Sequence, residues 1–362
     1  MTTTLVAAED PLSPLEALGE RLFFDVNLSM NRTQSCATCH DPSYAFADPR
    51  GAGSIGDDGT SIGDRNAPTV TYASLTPEFH LNEDGIWVGG QFWDGRASTL
   101  EDQAGDPPLN PAEMGMPSKA AVVERLKEDP AHIEDFTSLF GIEVLDDPET
   151  GYAAMTRAIA AFERTGQFAT FDSKYDKYLR GEVELTRDED LGRLLFFSQQ
   201  FTNCNMCHQV GRSAIDPKET FSNYEYHNIG TPRNVALREM NGVPLDHTDR
   251  GLADNPQAAD SDAGKVRVPT LRNVAVTAPY MHNGVFDDLR TVILFYNRYN
   301  TKSEPRQINP ETGERFGPIP VRDTLAVEEL THGPALDDQR IDALVAFLKT
   351  LTDERYEPLL EE

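Results

Sequence analysis

Two stretches of the chain, Cys36-Ala37-Thr38-Cys39-His40 and Cys204-Asn205-Met206-Cys207-His208, share the pattern C-x-x-C-H. This pattern is the attachment signature of a c-type haem, whose two vinyl groups form thioethers with the cysteines. The histidine that follows is then the proximal ligand of the iron. Because the two copies use all four cysteines, we expect two covalently bound c-type haems and no disulfide.

The sequence around the two haem motifs is repeated. Leu18–Phe24 and Leu191–Phe197 share the skeleton L-G-x-x-L-F-F and each precedes one motif. Ser13 and Thr186 lie three residues before a glutamate, the spacing of a capping box at a helix start. Each half also closes with an apolar stripe at helical spacing, formed by Met155, Ile159 and Phe162, and by Ile341, Leu344, Val345, Leu348 and Leu351.

This repeat predicts the fold class. A helix, a haem loop, several turns and a closing helix are the plan of a small cytochrome c domain. Segments 49–64, 246–265 and 299–320 are rich in Gly, Pro and Asp and read as loops, and strand patterning is scarce. We therefore predict a mainly α fold with two tandem cytochrome c-like domains, residues 1–166 and 167–362. Each domain carries one haem, and both contain long loops.

The charge balance limits the partners. Sixty acidic residues against 32 basic ones give the 362-residue chain a formal charge of −28. Such a surface repels nucleic acid, and it suits either simple solvation or a partner with a basic patch. No run of about 20 apolar residues occurs, so we expect no membrane span.

The start of the chain bears on its location. Met1–Glu9 lacks the basic start and long apolar stretch of a signal peptide. Haem attachment to C-x-x-C-H in bacteria takes place outside the cytoplasm. We therefore expect a mature periplasmic protein whose export signal is absent from this sequence.

Further motifs occur in an ordered series. F-W-D-G-R (Phe92–Arg96), N-P-x-E-M (Asn110–Met114) and V-P-T-L-R-N-V…T-A-P-Y-M-H-N-G (Val268–Gly284) accompany the haem motifs. In this order the chain resembles the bacterial dihaem cytochrome c peroxidase superfamily from Leu18 to about Leu360. Within it, the chain is most similar to the MauG and MbnH groups.

The resemblance implies an open, high-spin first haem that meets hydrogen peroxide, with His40 as its proximal ligand. Glu113 matches the distal carboxylate that moves a proton between the peroxide oxygens, and Gln103 and Pro107 match other distal positions. Without the resemblance, Glu113 would be taken for a surface carboxylate, and Gln103 and Pro107 for loop scaffolding.

The second haem has His208 as its proximal ligand, and its sixth ligand is the diagnostic position. Ordinary dihaem peroxidases carry a methionine 14 residues after the histidine of P-Y-x-H, which is His282 here. The residue at that spacing is Tyr296, as in MauG-type proteins, which implies a closed, low-spin His/Tyr haem. Methionine raises the potential of haem iron, whereas a hard tyrosine oxygen stabilises its higher oxidation states. The alternative is a core aromatic at Tyr296 with Met281 as the ligand.

Other positions match the family residue by residue. Trp93 matches a tryptophan that passes electrons between the haems. Asn66, Thr277 and Pro279 match the residues that supply oxygens to one calcium ion between them. The remaining histidines show no paired ligand spacing, and we expect them to be structural or surface residues: His80, His132, His227, His247 and His332.

The function implied is a peroxide-dependent oxidoreductase that oxidises tryptophan side chains of a partner protein by long-range electron transfer through a bis-Fe(IV) state. Its product is tryptophan tryptophylquinone in methylamine dehydrogenase, or kynurenine as in the MbnH group. MauG relays electrons through a tryptophan two residues before its second haem motif, where this chain has Thr202, so the exit route stays open.

Two other functions remain as alternatives. One is a peroxidase that reduces hydrogen peroxide with electrons from a small cytochrome, which Tyr296 argues against. The other is an electron-transfer dihaem protein with both irons closed. A small electron-transfer protein is therefore a further candidate partner.

Overall fold

The computed structural model describes residues 11–211, 213 and 215–361. In these residues the fold is mostly helical, as predicted. Its helices are α1 (Pro14–Phe23), α2 (Cys36–Cys39), α3 (Leu100–Ala104), α4 (Lys119–Leu126), α5 (Pro130–Phe140), α6 (Pro148–Glu163), α7 (Lys174–Leu179), α8 (Arg187–Phe196), α9 (Val235–Asn241), α10 (Leu289–Asn297), α11 (Val327–Leu330) and α12 (Asp338–Lys349).

Strands are short and few within the described residues. β1 (His80–Leu81) pairs antiparallel with β2 (Trp87–Val88), and β3 (Tyr226–His227) pairs antiparallel with β4 (Val266–Arg267). Two-residue strands cannot form a core of their own. The packing therefore depends on the helices, and the long loops are free to line the sites.

The two predicted helix starts are confirmed. The Ser13 hydroxyl accepts from the Glu16 amide and the Glu16 carboxylate accepts from the Ser13 amide, which closes a capping box at α1. Thr186 and Glu189 form the same reciprocal pair at α8. Each pair satisfies amide groups that an uncapped helix end leaves without partners.

The repeated L-G pair sets a close helix crossing in each half. α1 packs on α6, and α8 packs on α12. A side chain at Gly19 would overlap the Ala158 carbonyl, and one at Gly192 would overlap the Ala343 carbonyl. Glycine is thus required by the same steric contact twice, which confirms that the sequence repeat is a structural repeat.

Buried apolar side chains form two main clusters. The first runs from Leu18 to Phe168 and surrounds the α1–α6 crossing. The second runs from Tyr175 to Leu351 and surrounds the α8–α12 crossing. The clusters follow the two halves of the repeat, and the domain boundary at residues 166 and 167 stays a prediction.

A buried polar network links segments that are far apart in sequence. Arg272 is fully buried and pairs with Asp176 at 2.6 Å between Nη1 and Oδ2. The Tyr72 hydroxyl donates to the Asp353 carboxylate at 2.6 Å, and the Asn273 amide donates to its other oxygen at 2.8 Å. Because buried charges must be paired, this network fixes how the two halves meet.

No helix in the described part of the chain is long and apolar enough to cross a membrane.

Candidate active site

The two motif histidines are held in the same way. His40 Nδ1 donates to the Phe46 carbonyl at 3.2 Å, and His208 Nδ1 donates to the Phe221 carbonyl at 3.1 Å. The backbone amide of each histidine also donates to the carbonyl of the first cysteine of its motif, at 2.9 Å in both cases. Occupying Nδ1 leaves Nε2 available to a metal.

Burial keeps both rings neutral. It lowers the pKa of His40, and it lowers the pKa of His208 to about 4, although the carbonyl acceptors oppose the shift. A neutral imidazole is the form that ligates iron. Both histidines are therefore in the required protonation state at neutral pH.

The first cavity brings the predicted distal residues together. Its wall includes His40, Gln103, Pro107 and Glu113. Asn110 Nδ2 donates to Glu113 Oε1 at 2.8 Å, which fixes the carboxyl. Burial raises the pKa of Glu113, while the nearby positive charge of Arg96 opposes the rise. A carboxyl with a raised pKa holds a proton more readily than an exposed glutamate does, which suits a group that accepts and returns a proton.

The second cavity contains both candidates for the sixth ligand. Its wall includes Cys204, Cys207, His208, Met281 and Tyr296. Burial raises the pKa of Tyr296 well above its usual range, and the thiols of the two cysteines add to the shift. Tyr296 thus faces the haem-attachment cysteines, and the choice between tyrosine and methionine stays a prediction.

The repeat extends beyond the helices into these walls. Gln91 and Tyr280 begin equivalent backbone bridges, to Ala97 and Phe286. Pro107 lies as far beyond Gln91 as Tyr296 lies beyond Tyr280. By this count Pro107 is the sequence equivalent of Tyr296, although Pro107 lies in a 3₁₀ turn after α3 and Tyr296 lies within α10.

Trp93 borders both cavities. Its indole N–H donates to the Asn66 carbonyl at 2.8 Å, and its ring centroid lies 6.5 Å from that of His282, the equivalent residue of the other half. Trp93 is thus shared by the walls of the two cavities, and its position between haems and its role in electron transfer stay predictions.

An ion-pair network that the sequence did not reveal surrounds this tryptophan. Arg65 bonds to Asp94 at 2.5 Å and to Asp249 at 2.6 Å, and Asp94 is also paired with Arg96. Arg65 and Asp249 are 184 positions apart, so no local pattern signals their contact. The network holds the loop that carries Trp93.

The residues predicted to bind calcium lie on adjoining loops. The Asn66 amide donates to the His282 carbonyl at 2.8 Å, which joins the Asn66 loop to the segment that contains Thr277 and Pro279. The Asn66 backbone carbonyl accepts a hydrogen bond from the Trp93 indole, and Asn66 is buried. The donor types fit calcium, and the ion itself stays a prediction.

Three residues on the cavity walls were not expected to be near the sites. His227 and His332, predicted to be structural or surface residues, line the second cavity. Glu163 lines the first cavity and is almost fully buried. The contrast of F-E-R-T at Phe162–Thr165 with F-L-K-T at Phe347–Thr350 could have drawn attention to Glu163.

Comparisons with known proteins agree with this geometry. The di-haem cytochrome c peroxidase family matches residues 13–184. The chain is 54% identical over 354 residues to methylamine utilization protein MauG of Paracoccus denitrificans, which covers 96% of this chain and 91% of that protein. The chain belongs to the dihaem cytochrome c peroxidase family. It is a MauG-type member and a haem-dependent oxidoreductase.

Solved structures of this family have the same fold. The diheme peroxidase BthA from Burkholderia thailandensis has a TM-score of 0.82 and 33% identity, over 97% of this chain and 88% of that one. A MauG-like protein associated with microbial copper homeostasis has a TM-score of 0.69 and 32% identity, over 97% and 93%. Membership of this family implies two c-type haems.

The residues present fit those haems. Each half offers two cysteines one helical turn apart, a neutral histidine whose Nδ1 donates to a backbone carbonyl, and a largely apolar cavity beside them. Cys36 and Cys39 with His40 would hold the first haem, and the equivalent triplet of the second half would hold the other.

Proposed function

We propose that this enzyme uses hydrogen peroxide to oxidise tryptophan side chains of a partner protein by long-range electron transfer. The observation that carries the proposal is Trp93, whose indole borders both cavities. A tryptophan in this position lets electrons pass from the second site to the first. The partner then never has to reach the peroxide. The 54% identity to MauG supports the same chemistry.

Residues of the first cavity suit the reaction with peroxide. When bound, the two haems supply the irons that react with peroxide and hold its two oxidising equivalents. Glu113 accepts a proton from the inner peroxide oxygen and returns it to the outer one, so that the O–O bond breaks heterolytically. Asn110 keeps the carboxyl oriented for both transfers. Gln103 and Pro107 close the distal wall around it.

The residues of the second cavity suit the storage of an oxidising equivalent rather than the rapid uptake of electrons from a donor cytochrome. Tyr296, which lines the same cavity as His208, offers a hard oxygen ligand, whereas a methionine would raise the potential and favour electron transfer from a small cytochrome. We assign Tyr296 as the sixth ligand and Trp93 as the electron relay. We also propose that one calcium ion is held between the haems by Asn66, Thr277 and Pro279.

The partner is a protein with an oxidisable tryptophan, encountered in the periplasm. The MauG relationship favours methylamine dehydrogenase and the formation of tryptophan tryptophylquinone. The alternative is a small tryptophan-bearing partner, with kynurenine as the product. The strongly acidic composition suits a partner with a basic docking patch. Thr202 cannot carry an electron hole, so electrons enter by a route other than that of MauG.

The proposal is tested by adding one equivalent of peroxide to the fully oxidised enzyme and recording Mössbauer spectra. We expect both irons to reach an oxidation state above ferric and this oxidised state to be long-lived. Reduced cytochrome c should react with the enzyme only slowly. Trp93→Phe should confine the change to one iron. A change at a single iron in the unaltered enzyme, with rapid turnover of cytochrome c, would favour the scavenging peroxidase. Two low-spin signals and no reaction would favour a simple electron carrier.

A further inference from the structure

Glu163, the last residue of α6, is a buried acid on the wall of the first cavity. Glu163 is only 3% exposed to solvent, and its Oε2 atom has no hydrogen-bond partner among the described residues. Buried polar atoms almost always have such a partner. An unpaired carboxyl oxygen on a residue of the cavity wall therefore calls for a functional explanation.

The second half of the repeat provides an internal comparison. The phenylalanine before Glu163 packs beneath Gly19 in the same way that Phe347 packs beneath Gly192. Leu348, which follows Phe347, is therefore the equivalent of Glu163, and it borders the second cavity. The first cavity, where peroxide is predicted to react, has an acid at the position where the second cavity has a leucine.

Packing does not require this acid. Leu348 shows that an apolar side chain fills the same place beneath the same helix crossing. Burying an unpaired carboxyl costs free energy that a leucine would not cost. Its presence on the reactive side only is thus typical of a group with a task in the reaction.

The charges around Glu163 leave it poised to exchange a proton. Burial raises the pKa of Glu163 to about 8; Arg164 opposes the rise and Glu101 on α3 supports it. Arg164 and Glu101 pair with each other at 2.7 Å, so their effects largely cancel. Among the described residues, the thiol of Cys36 also interacts with this carboxyl, and haem attachment would consume that thiol.

We propose that Glu163 is a proton-exchanging group of the first haem site, which binds a proton when that haem gains an electron and releases it when the haem loses one. The inference rests on the haem assigned to this cavity and not on the identity of the partner protein. Its physical cause is electrostatic, because each electron that leaves the site makes the neutral acid less favourable than the carboxylate.

The proton balance of the peroxide reaction explains why a proton-exchanging group such as Glu163 would be useful at this site. Converting one peroxide to two waters consumes two electrons and two protons. The transfer by Glu113 moves a proton within peroxide and adds none. As an electron arrives from the partner, the Glu163 carboxylate would take up one of the two protons from solvent. When that electron passes on to the peroxide oxygen, the Glu163 O–H bond would break and its proton would go to the water that forms.

The test is a potentiometric titration of the first haem in the haem-loaded enzyme at a series of pH values, without peroxide or partner. We expect the midpoint potential to fall as pH rises, by up to about 59 mV for each tenfold change in proton concentration. Glu163→Gln should remove most of this dependence, and any remainder belongs to the haem propionates. Glu149→Gln, which removes an exposed carboxyl near the other end of α6, should retain it. Equal pH dependence in Glu163→Gln and the unaltered enzyme would overturn the proposal.

A second variant and a second readout keep the test decisive. Glu163→Leu copies the other half of the repeat, so it should fold and should also lose the pH dependence. In the unaltered enzyme, the oxidised-minus-reduced infrared spectrum should show the loss of a protonated carboxyl band that shifts in D2O. Persistence of that band in Glu163→Leu would contradict the assignment. Neither result depends on tryptophan oxidation, so failure of the proposed function would be seen separately.

Discussion

Replacement of Glu113 by glutamine isolates the proton transfer in the first cavity. Glutamine retains an oxygen that can accept the 2.8 Å hydrogen bond from Asn110, and its volume is nearly the same. The wall of the cavity and the access of peroxide should therefore be unchanged. The variant loses only the ability to accept and return a proton.

The size of the effect follows from that loss. A positioned acid–base group contributes about 10²–10⁴-fold to a rate, which corresponds to about 2.7–5.4 kcal/mol of activation free energy. Glu113 must first accept a proton as a carboxylate, and burial raises its pKa. The rate of the unaltered enzyme should thus increase as pH rises through this raised pKa. The Glu113→Gln rate should be low and independent of pH over the same range.

Stopped-flow absorbance at the Soret band, with peroxide in excess, measures this rate directly. Glu101→Gln is the matched control, because Glu101 is a carboxyl of the same half that pairs with Arg164 instead of facing the peroxide site. It should react as the unaltered enzyme does. An unchanged rate and pH profile in Glu113→Gln would refute the assignment of Glu113 as the proton-transfer group.

Three further predictions concern the crossing, the buried ion pair and the second haem. Gly192→Ala should lower the free energy of unfolding by about 1–3 kcal/mol in chemical denaturation, because the new methyl group overlaps backbone, whereas Gly166→Ala, in open space, should change it little. Asp176→Asn should lower it by about 3–5 kcal/mol in the same assay, because Arg272 is left buried without its counter-charge; an unaltered midpoint would contradict this. Tyr296→Phe should convert the low-spin electron paramagnetic resonance signal of the second haem to another form, and an identical spectrum would favour the methionine ligand.

The framework of the fold could be predicted from sequence because it depends on local signals. The capping boxes at Ser13 and Thr186 and the two L-G pairs each report on one or two helical turns, and the structure confirms them. The apolar stripes lie on α6 and α12, except that Leu351 falls beyond the end of α12. The repeat in the cavity walls escaped detection for a physical reason. Phe46 and Phe221 act through backbone carbonyls, whose geometry leaves little trace in the side-chain pattern.

The candidate site divides in the same way. Motif spacing identified His40 and His208, and the resemblance identified Glu113 and Trp93, which the structure finds on the expected walls. The Arg65 network was missed because it joins residues far apart in sequence. The roles of these residues depend on bound haem and on a partner, so neither sequence nor fold alone determines them.

The most direct test of the central claim is mass spectrometry of the partner protein after reaction with peroxide and the haem-loaded enzyme. Precursor methylamine dehydrogenase and a small tryptophan-bearing periplasmic protein are compared in parallel. We predict oxidation confined to defined tryptophan residues of one of them, dependent on peroxide and diminished by Trp93→Phe. Unmodified tryptophan in both, together with rapid peroxide consumption when reduced cytochrome c is supplied, would contradict the account.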